Sequence, residues 1–193
     1  MHPLVNLVKR TVETYIKEGK TIPTPEDLPR EFLERRAGTF VTINKQLTTN
    51  NKQQLRGCIG TYLPVHANIA QEIISNAIAA ATEDYRFGPI QEKELSSLTY
   101  TVYILSEPEL IKDISELDPK KYGIIVKTVP ITRPNGTDVV FNGHFVPKTG
   151  LLLPDLEGID TIENQISIAC QKAEIDPLKE KISIYKFTVE KCQ

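Results

Sequence analysis

A cysteine flanked by glycines is the most chemically suggestive feature of this sequence. Residues 55–60 read LRGCIG and place Cys58 between Gly57 and Gly60, two residues after Arg56. A cysteine can act as a nucleophile or a ligand, and a neighbouring cation lowers the pKa of a thiol. Glycines let a ligand approach the backbone and leave amide N–H groups to bind an anion or an oxyanion. The alternative is that Cys58 is a small core residue, because cysteines outside disulfides are commonly buried.

Three charged residues form a second candidate group. Glu83, Asp84 and Arg86 directly follow an alanine-rich segment with helical periodicity. Acids are unfavourable at a helix C-terminus, so the carboxylates must cap the next loop, pair with Arg56 or serve a site. Arg56 could bind a carboxylate or a phosphate through two parallel hydrogen bonds. It could instead form a structural ion pair with Glu83 or Asp84, and of the two roles we expect the ion pair.

Histidine and cysteine spacing gives little support to metal chemistry or to a catalytic dyad. The three histidines form neither HxH nor HExxH, and the three cysteines contain no CxxC pair. A Cys–His dyad would require His66 or His144 within hydrogen-bond reach of Cys58. No dinucleotide-binding or P-loop glycine pattern is present either. The sequence therefore predicts no metal site and no cofactor.

Composition narrows the class of protein further. The chain has 193 residues, with 23 Lys and Arg against 25 Asp and Glu, which gives a net charge of −2. This near-neutral balance disfavours nucleic acid as the main partner. The sequence contains no apolar run long enough for a membrane span and no signal-peptide pattern. An odd number of dispersed cysteines is typical of a reducing compartment, so we expect a cytoplasmic protein that does not associate with membranes.

Periodicity predicts the elements that position these residues. Helices are predicted over 3–18, 69–81 and 161–173, and strands over 38–43, 55–62, 98–105, 122–129, 139–146, 151–153 and 182–189. Several strands follow hairpin-like connections, and the helices do not alternate strictly with them. This order favours an α+β fold with antiparallel sheets over a doubly wound parallel sheet.

Three segments together resemble the AMMECR family, in its bacterial and archaeal branch. They are LRGCIG at 55–60, EDYRF at 83–87 and GLLLP at 150–154, and GTFVT at 38–42 supports them. The resemblance extends over about residues 3–190, nearly the whole chain, and the six-residue motif is specific in this context.

The resemblance implies a single domain over 1–193 with two unequal subdomains, each containing an antiparallel sheet flanked by helices. The larger subdomain would hold both termini, the smaller would be an insertion, and a cleft would lie between them. At this cleft Cys58 is the candidate catalytic residue. The candidate substrate-binding residues are Arg56, Gly57, Ile59, Gly60, Glu83, Asp84 and Arg86.

For function, the resemblance leaves two hypotheses open, because the activity of the family is not established. The first is an enzyme or enzyme accessory whose cleft binds a sizeable ligand or a protein segment. The second is a non-catalytic scaffold module that acts with Memo-like and radical-SAM partners. The chain departs from the family pattern between 127 and 149, where a longer hairpin is expected. A role for His144, which lies in that stretch, cannot be carried over.

Overall fold

The chain divides into two compact units in a computed structural model that describes residues 1–47, 53–130 and 145–193. The first unit comprises Met1–Glu107 and Glu190–Gln193, and the second comprises Pro108–Val189. Both chain ends therefore belong to the first unit. Within the described ranges, no helix has the length and apolar character needed to cross a membrane.

Four α-helices and eight strands are present in the described part of the chain. In chain order they are α1 (Pro3–Glu18), α2 (Arg30–Glu34), β1 (Thr39–Gln46), β2 (Gln53–Thr61), α3 (Ile69–Thr82), β3 (Leu98–Leu105), β4 (Glu109–Leu110), β5 (Gly123–Thr128), β6 (Thr149–Leu152), α4 (Ile162–Lys172), β7 (Ile182–Phe187) and β8 (Val189–Cys192). Short 3₁₀ helices span Glu92–Ser97 and Ile114–Glu116. The strands form two four-stranded sheets, in the orders β2-β1-β3-β8 and β4-β7-β5-β6.

Helix α1 has sequence-encoded limits at both ends. The His2 ring accepts a hydrogen bond from the Leu4 N–H at its N-terminus, and Pro3 occupies the first turn. Gly19 ends the helix in the left-handed conformation, with φ 68°, and donates its N–H to the Tyr15 carbonyl. The helix predicted over 3–18 is confirmed.

In the first unit, α1 and α3 cover one face of the β2-β1-β3-β8 sheet. The fully buried residues of this core include Val41, Ile43, Val102, Ile69, Ile73 and Ala77. Alternate residues of β1, such as Phe40 and Thr42, lie on the other face of the sheet and are only half-buried. Because side chains alternate along a strand, this second face carries the polar positions of the sheet.

In the second unit, α4 packs on the sheet formed by β4, β7, β5 and β6. Ile124, Val126, Leu152 and Ala169 form the centre of its core. The neighbouring strands of this sheet pair antiparallel. The predicted α+β class with antiparallel sheets is confirmed in both units.

One predicted strand needs correction, and one short helix was missed. The strand predicted over 182–189 is two strands, because the chain leaves the second sheet after Phe187 and enters the first at Val189. Helix α2 was not predicted, because its five residues are too few to show a helical period. Most of the strand predicted over 139–146 lies outside the described residues, as does most of the hairpin expected between 127 and 149.

Candidate functional site

The register of the β1–β2 hairpin places Cys58 on the polar face of the first sheet. Cys58 lies opposite Thr42, and Thr42 lies opposite Thr101 of β3, so the three side chains form a row across the strands. The register shifts between Ile43 and Asn44, where Arg56 is the extra residue of a β-bulge. A bulge reverses the alternation of the strand beyond it, and this reversal turns Cys58 away from the helices.

The Cys58 thiol has a hydroxyl neighbour on this face. Its Sγ lies 3.2 Å from Oγ1 of Thr42, and either atom can be the donor. The side chain of Cys58 is half-buried. Tyr103 lies nearby on β3, where burial raises the pKa of its phenol and the charge of Cys58 raises it further. The arrangement holds a thiol beside a hydrogen-bond donor on a partly accessible surface.

The residues after α3 bind the exposed edge of β2, which is the first strand of its sheet. The Cys58 N–H donates to Oδ2 of Asp84 at 2.8 Å, and Nη2 of Arg86 lies 3.4 Å from the Cys58 carbonyl oxygen. Unpaired edge groups invite unwanted pairing, so a side-chain cover protects the strand. Asp84, the acid after α3, thus has a structural role as a hydrogen-bond acceptor for the strand edge. The Cys58 N–H is used in this bond and is not open to a ligand.

Asp84 and Arg86 also pair with each other. Two guanidinium nitrogens of Arg86 lie 2.9 and 2.7 Å from the carboxylate oxygens of Asp84. The Arg86 hydrogen bond lowers the pKa of Asp84 to about 2, and the same bond raises the pKa of Arg86. The Asp84 side chain is 3% exposed and that of Arg86 is 44% exposed. Arg86 is therefore a cation next to the Cys58 backbone, and its charge is balanced by Asp84.

Arg56 points to a different part of the unit. Its guanidinium forms a two-pronged pair with Glu94, at 3.1 and 3.0 Å. It also donates to the carbonyl oxygens of Phe87, Gly88 and Pro89, at 3.4, 2.9 and 3.1 Å. These contacts use all five N–H groups of a guanidinium. The predicted ion pair of Arg56 with Glu83 or Asp84 is wrong, because the bulge directs the side chain to the 3₁₀ helix instead.

Glu94 is the centre of this second charged group. Nζ of Lys45 lies 3.2 Å from its Oε1, and the Gln91 N–H donates to its Oε2 at 2.9 Å. The hydrogen bonds from Arg56, more than any other contact, lower the pKa of Glu94 to about 2. Only 12% of the Glu94 side chain is exposed. Lys45, Arg56 and Glu94 thus tie the β1–β2 hairpin to the 3₁₀ helix that precedes β3.

The two motif glycines are surrounded by the protein itself. A Cβ at Gly57 would collide with the backbone carbonyl of Ala80 in α3. A Cβ at Gly60 would collide with the Phe40 ring and with the Thr39 carbonyl. The sequence analysis predicted that these glycines let a ligand approach the backbone. In the structure the space beside each glycine is filled by a neighbouring element of the same unit.

The remaining predicted residues have separate positions. Ile59 is half-buried and packs against the core of the first unit, and Glu83 is exposed at the C-terminus of α3. Tyr85, between Asp84 and Arg86, is 96% exposed. His144 lies outside the described residues. The substrate-binding roles of these residues, and the cleft itself, stay predictions.

A buried carboxylate next to the motif was missed in the sequence. Glu72, in the first turn of α3, is fully buried and accepts hydrogen bonds from the Thr61 hydroxyl and from the N–H groups of Val65 and His66. It fixes the loop that follows β2. The sequence feature that could have identified Glu72 is an acidic residue in the first turn of an apolar helix, where the helix dipole favours a negative charge.

The other two cysteines are in a different chemical environment from Cys58. All three are present as thiols. Burial raises the pKa of Cys170 and raises that of Cys192 to about 11. A buried, neutral thiol is a poor nucleophile, so Cys58 is the cysteine on which a nucleophilic mechanism would depend.

The fold and the site together define the class of protein. It is an α+β chain with two helix-backed four-stranded antiparallel sheets, and one sheet carries LRGCIG on its edge strand. The AMMECR1 family model matches residues 5–192, and the chain belongs to the AMMECR1 family. The resemblance noted in the sequence is confirmed.

Similar proteins occur in bacteria and archaea. A protein of Thermotoga maritima is 47% identical over 190 residues, which cover 98% of this chain and 97% of that protein. Protein CA_C1420 of Clostridium acetobutylicum is 40% identical over 97% of this chain, which corresponds to 35% of its own length. The crystal structure of the uncharacterized protein PH0010 from Pyrococcus horikoshii matches with a TM-score of 0.79 and 33% identity, covering 97% of this chain and 88% of that one. None of these names states an activity.

Proposed function

We propose that Cys58 is the functional centre of this chain, and that its thiol acts as a nucleophile or ligand in an enzyme or enzyme accessory. One observation carries the proposal: Sγ of Cys58 lies 3.2 Å from the Thr42 hydroxyl on the half-buried polar face of the sheet. A hydroxyl donor stabilises a thiolate by a charge-assisted hydrogen bond. Cys58 is half-buried rather than buried, and when Thr42 is the donor its hydroxyl favours the thiolate form.

The surrounding charges refine which residues would contact a ligand. Arg56 directs its five N–H groups to Glu94 and to three backbone carbonyls, so a ligand would first have to displace one of these acceptors. Arg86 is 44% exposed and lies next to the Cys58 carbonyl. We therefore assign ligand contact to Cys58 and Arg86, and a supporting role to Arg56.

Alkylation kinetics test this assignment. In a background with Cys170→Ala and Cys192→Ala, Cys58 should react with iodoacetamide in the native protein at the rate of an accessible thiol. Thr42→Val should slow the reaction relative to the matched variant Thr42→Ser, because valine keeps the shape of threonine but removes the hydroxyl. A thiol that stays inert until the protein unfolds would refute the proposal.

An exposed aromatic residue beside the site supports a second candidate function, a protein-binding accessory. Tyr85 is 96% exposed, and Leu63 and Val65 in the loop after β2 are 51% and 67% exposed. Tyrosine is enriched among the residues that contribute most to binding at protein interfaces. In the Clostridium relative the matching region is 35% of a longer chain, so there the domain is joined to additional sequence. This arrangement fits a domain that acts together with other domains. On this reading, Memo-like and radical-SAM proteins are the partners that the family resemblance suggests.

Calorimetry with those two purified proteins distinguishes the candidates. If the chain is an accessory, Tyr85→Ala should weaken binding by at least about tenfold, the effect of losing an interface hot spot. Leu178→Ala is the matched control, because Leu178 is 95% exposed in the second unit. Binding that is unchanged by Tyr85→Ala would remove the accessory proposal at this surface.

We also propose a cytoplasmic location. Three cysteines that all remain thiols are compatible with a reducing compartment. Fractionation of the native host tests this directly, and recovery of the protein from the extracellular medium would contradict it.

A further inference from the structure

The two ends of the first unit bring together three potential metal ligands far from Cys58 in the sequence. His2, Glu190 and Cys192 each offer a ligand atom, and these atoms all lie within 4.8 Å of one another. Sequence spacing gave no hint of this group, because His2 lies 188 positions before Glu190. The group exists only once α1 and β8 are in place.

Strand geometry explains why the group converges. Glu190 and Cys192 are two residues apart in β8, so their side chains project from the same face. Cys192 is 4% exposed and belongs to the core that α1 covers, whereas Glu190 is exposed. His2 is the N-cap residue of α1 and packs edge-on against Phe32, with ring centroids 6.0 Å apart. Cys192 is therefore buried, Glu190 is exposed and His2 is half-buried.

The donor types are those of a zinc site. Imidazole nitrogen, thiolate sulfur and carboxylate oxygen are the three ligands that Zn²⁺ takes in proteins, whereas Mg²⁺ and Ca²⁺ require oxygen sets. A thiolate and a carboxylate together carry two negative charges, which balance a divalent cation. We propose that His2, Glu190 and Cys192 bind a divalent transition-metal ion of the zinc type, with a fourth position left to a water or another ligand.

Binding has one local consequence for α1. Nδ1 of His2 accepts the Leu4 N–H at 3.2 Å, and a neutral imidazole has only one lone pair to give. A metal at either ring nitrogen therefore replaces this cap hydrogen bond. In exchange the ion would join the N-terminal helix to the C-terminal strand of the same unit, and metal binding would add to its folding stability.

Cobalt absorption tests the site in the untagged full-length chain after treatment with a chelator, because an affinity tag would add histidines near His2. Titration with Co²⁺ should give a saturable near-ultraviolet thiolate-to-cobalt band with one ion per chain, and Zn²⁺ should abolish it. The melting temperature should rise with Zn²⁺ and stay unchanged with Mg²⁺.

Matched variants identify the ligands. Cys192→Ala should lose the band, whereas Cys58→Ala and Cys170→Ala should keep it. Glu190→Gln, an exposed change that leaves the core intact, should weaken Co²⁺ binding by at least about tenfold, since even changes outside the ligand set cost that much. His2→Asn should weaken it likewise while keeping a favourable N-cap. Absence of a saturable band in the wild type, a band that survives Cys192→Ala, or unchanged Co²⁺ affinity in Glu190→Gln would overturn the proposal.

Discussion

The two sheets share one packing device but differ in the groups around it. In the first unit Gly57 of β2 lets the Ala80 carbonyl of α3 approach the strand, and in the second Gly150 of β6 does the same for the Ala169 carbonyl of α4. Both glycines belong to segments by which the family resemblance was recognised. A glycine in such a segment is therefore explained by helix–sheet packing in either unit and is not itself a sign of a ligand.

Buried charge is what distinguishes the first unit. Glu72 and Asp84 are buried there, and both accept hydrogen bonds from the backbone of the motif region. Among the described residues of the second unit, Gln165 and Thr128 are the buried polar side chains, and neither is charged. Burying a carboxylate costs free energy unless it is well paired. The two buried carboxylates near β2 therefore hold the backbone that donates to them in a fixed position.

The largest expected effect comes from the shared packing device. Gly57→Ala and Gly150→Ala should each destabilise the protein by about 3 kcal/mol, because the new Cβ meets a helix carbonyl that cannot move alone. Urea unfolding measures the change. Gly88→Ala is the control, since a Cβ there has nothing within 4 Å. If Gly57→Ala were as stable as this control, the equivalence of the two glycines would be lost.

The next effect separates the units by their ion pairs. Arg56→Ala should cost about 2–3 kcal/mol, because it leaves the nearly buried Glu94 carboxylate without its main partner. Lys148→Ala in the second unit should cost less than about 1 kcal/mol, because its pair with Glu180 is 46% and 29% exposed. Chemical denaturation of both variants checks the difference. Equal costs would show that burial does not distinguish the two charge networks.

Acid should act on the first unit through the same carboxylates. The folded-state pKa of Glu94 is about 2, below its ordinary value of 4.5, and that of Asp84 is about 2 against 3.8. Their contribution to stability is therefore complete above about pH 5 and is lost as the pH falls towards 2. In Glu94→Gln the melting temperature should depend less on pH across this range than it does in the wild type. A variant whose melting temperature depends on pH as the wild type does would contradict the assignment.

The smallest effect is expected at the buried amide of the second unit. Nε2 of Gln165 donates to the Tyr122 carbonyl at 2.9 Å, but its Oε1 has no hydrogen-bond partner among the described residues. Gln165→Met removes an unsatisfied oxygen but also leaves the Tyr122 carbonyl without its donor. These two effects oppose each other, so stability should change by less than about 1 kcal/mol. A loss of several kcal/mol in urea unfolding would reveal a partner for Oε1.

Local sequence was sufficient for much of the fold. Helix α1 was predicted at its observed limits because Pro3 and Gly19 mark its ends, and β3 because apolar and polar residues alternate over 98–105. The division of the last predicted strand at Thr188 was not predictable, because β-branched and aromatic residues continue on both sides of it. Which sheet a strand joins depends on partners distant in the chain.

The sequence by itself determined the family and the α+β class, and it singled out residues 55–60 as the candidate site. Only the tertiary structure decided which face of the sheet each motif side chain lies on and which groups it contacts. Extending the register of Asn44 and Leu55 without a bulge would place Cys58 opposite Val41, on the core face. The extra residue Arg56 moves Cys58 to the face of Thr42 and sends its own guanidinium to Glu94. Strand alternation has a period of two, so a single inserted residue exchanges the two faces, and that insertion is set by pairing between strands rather than by local sequence.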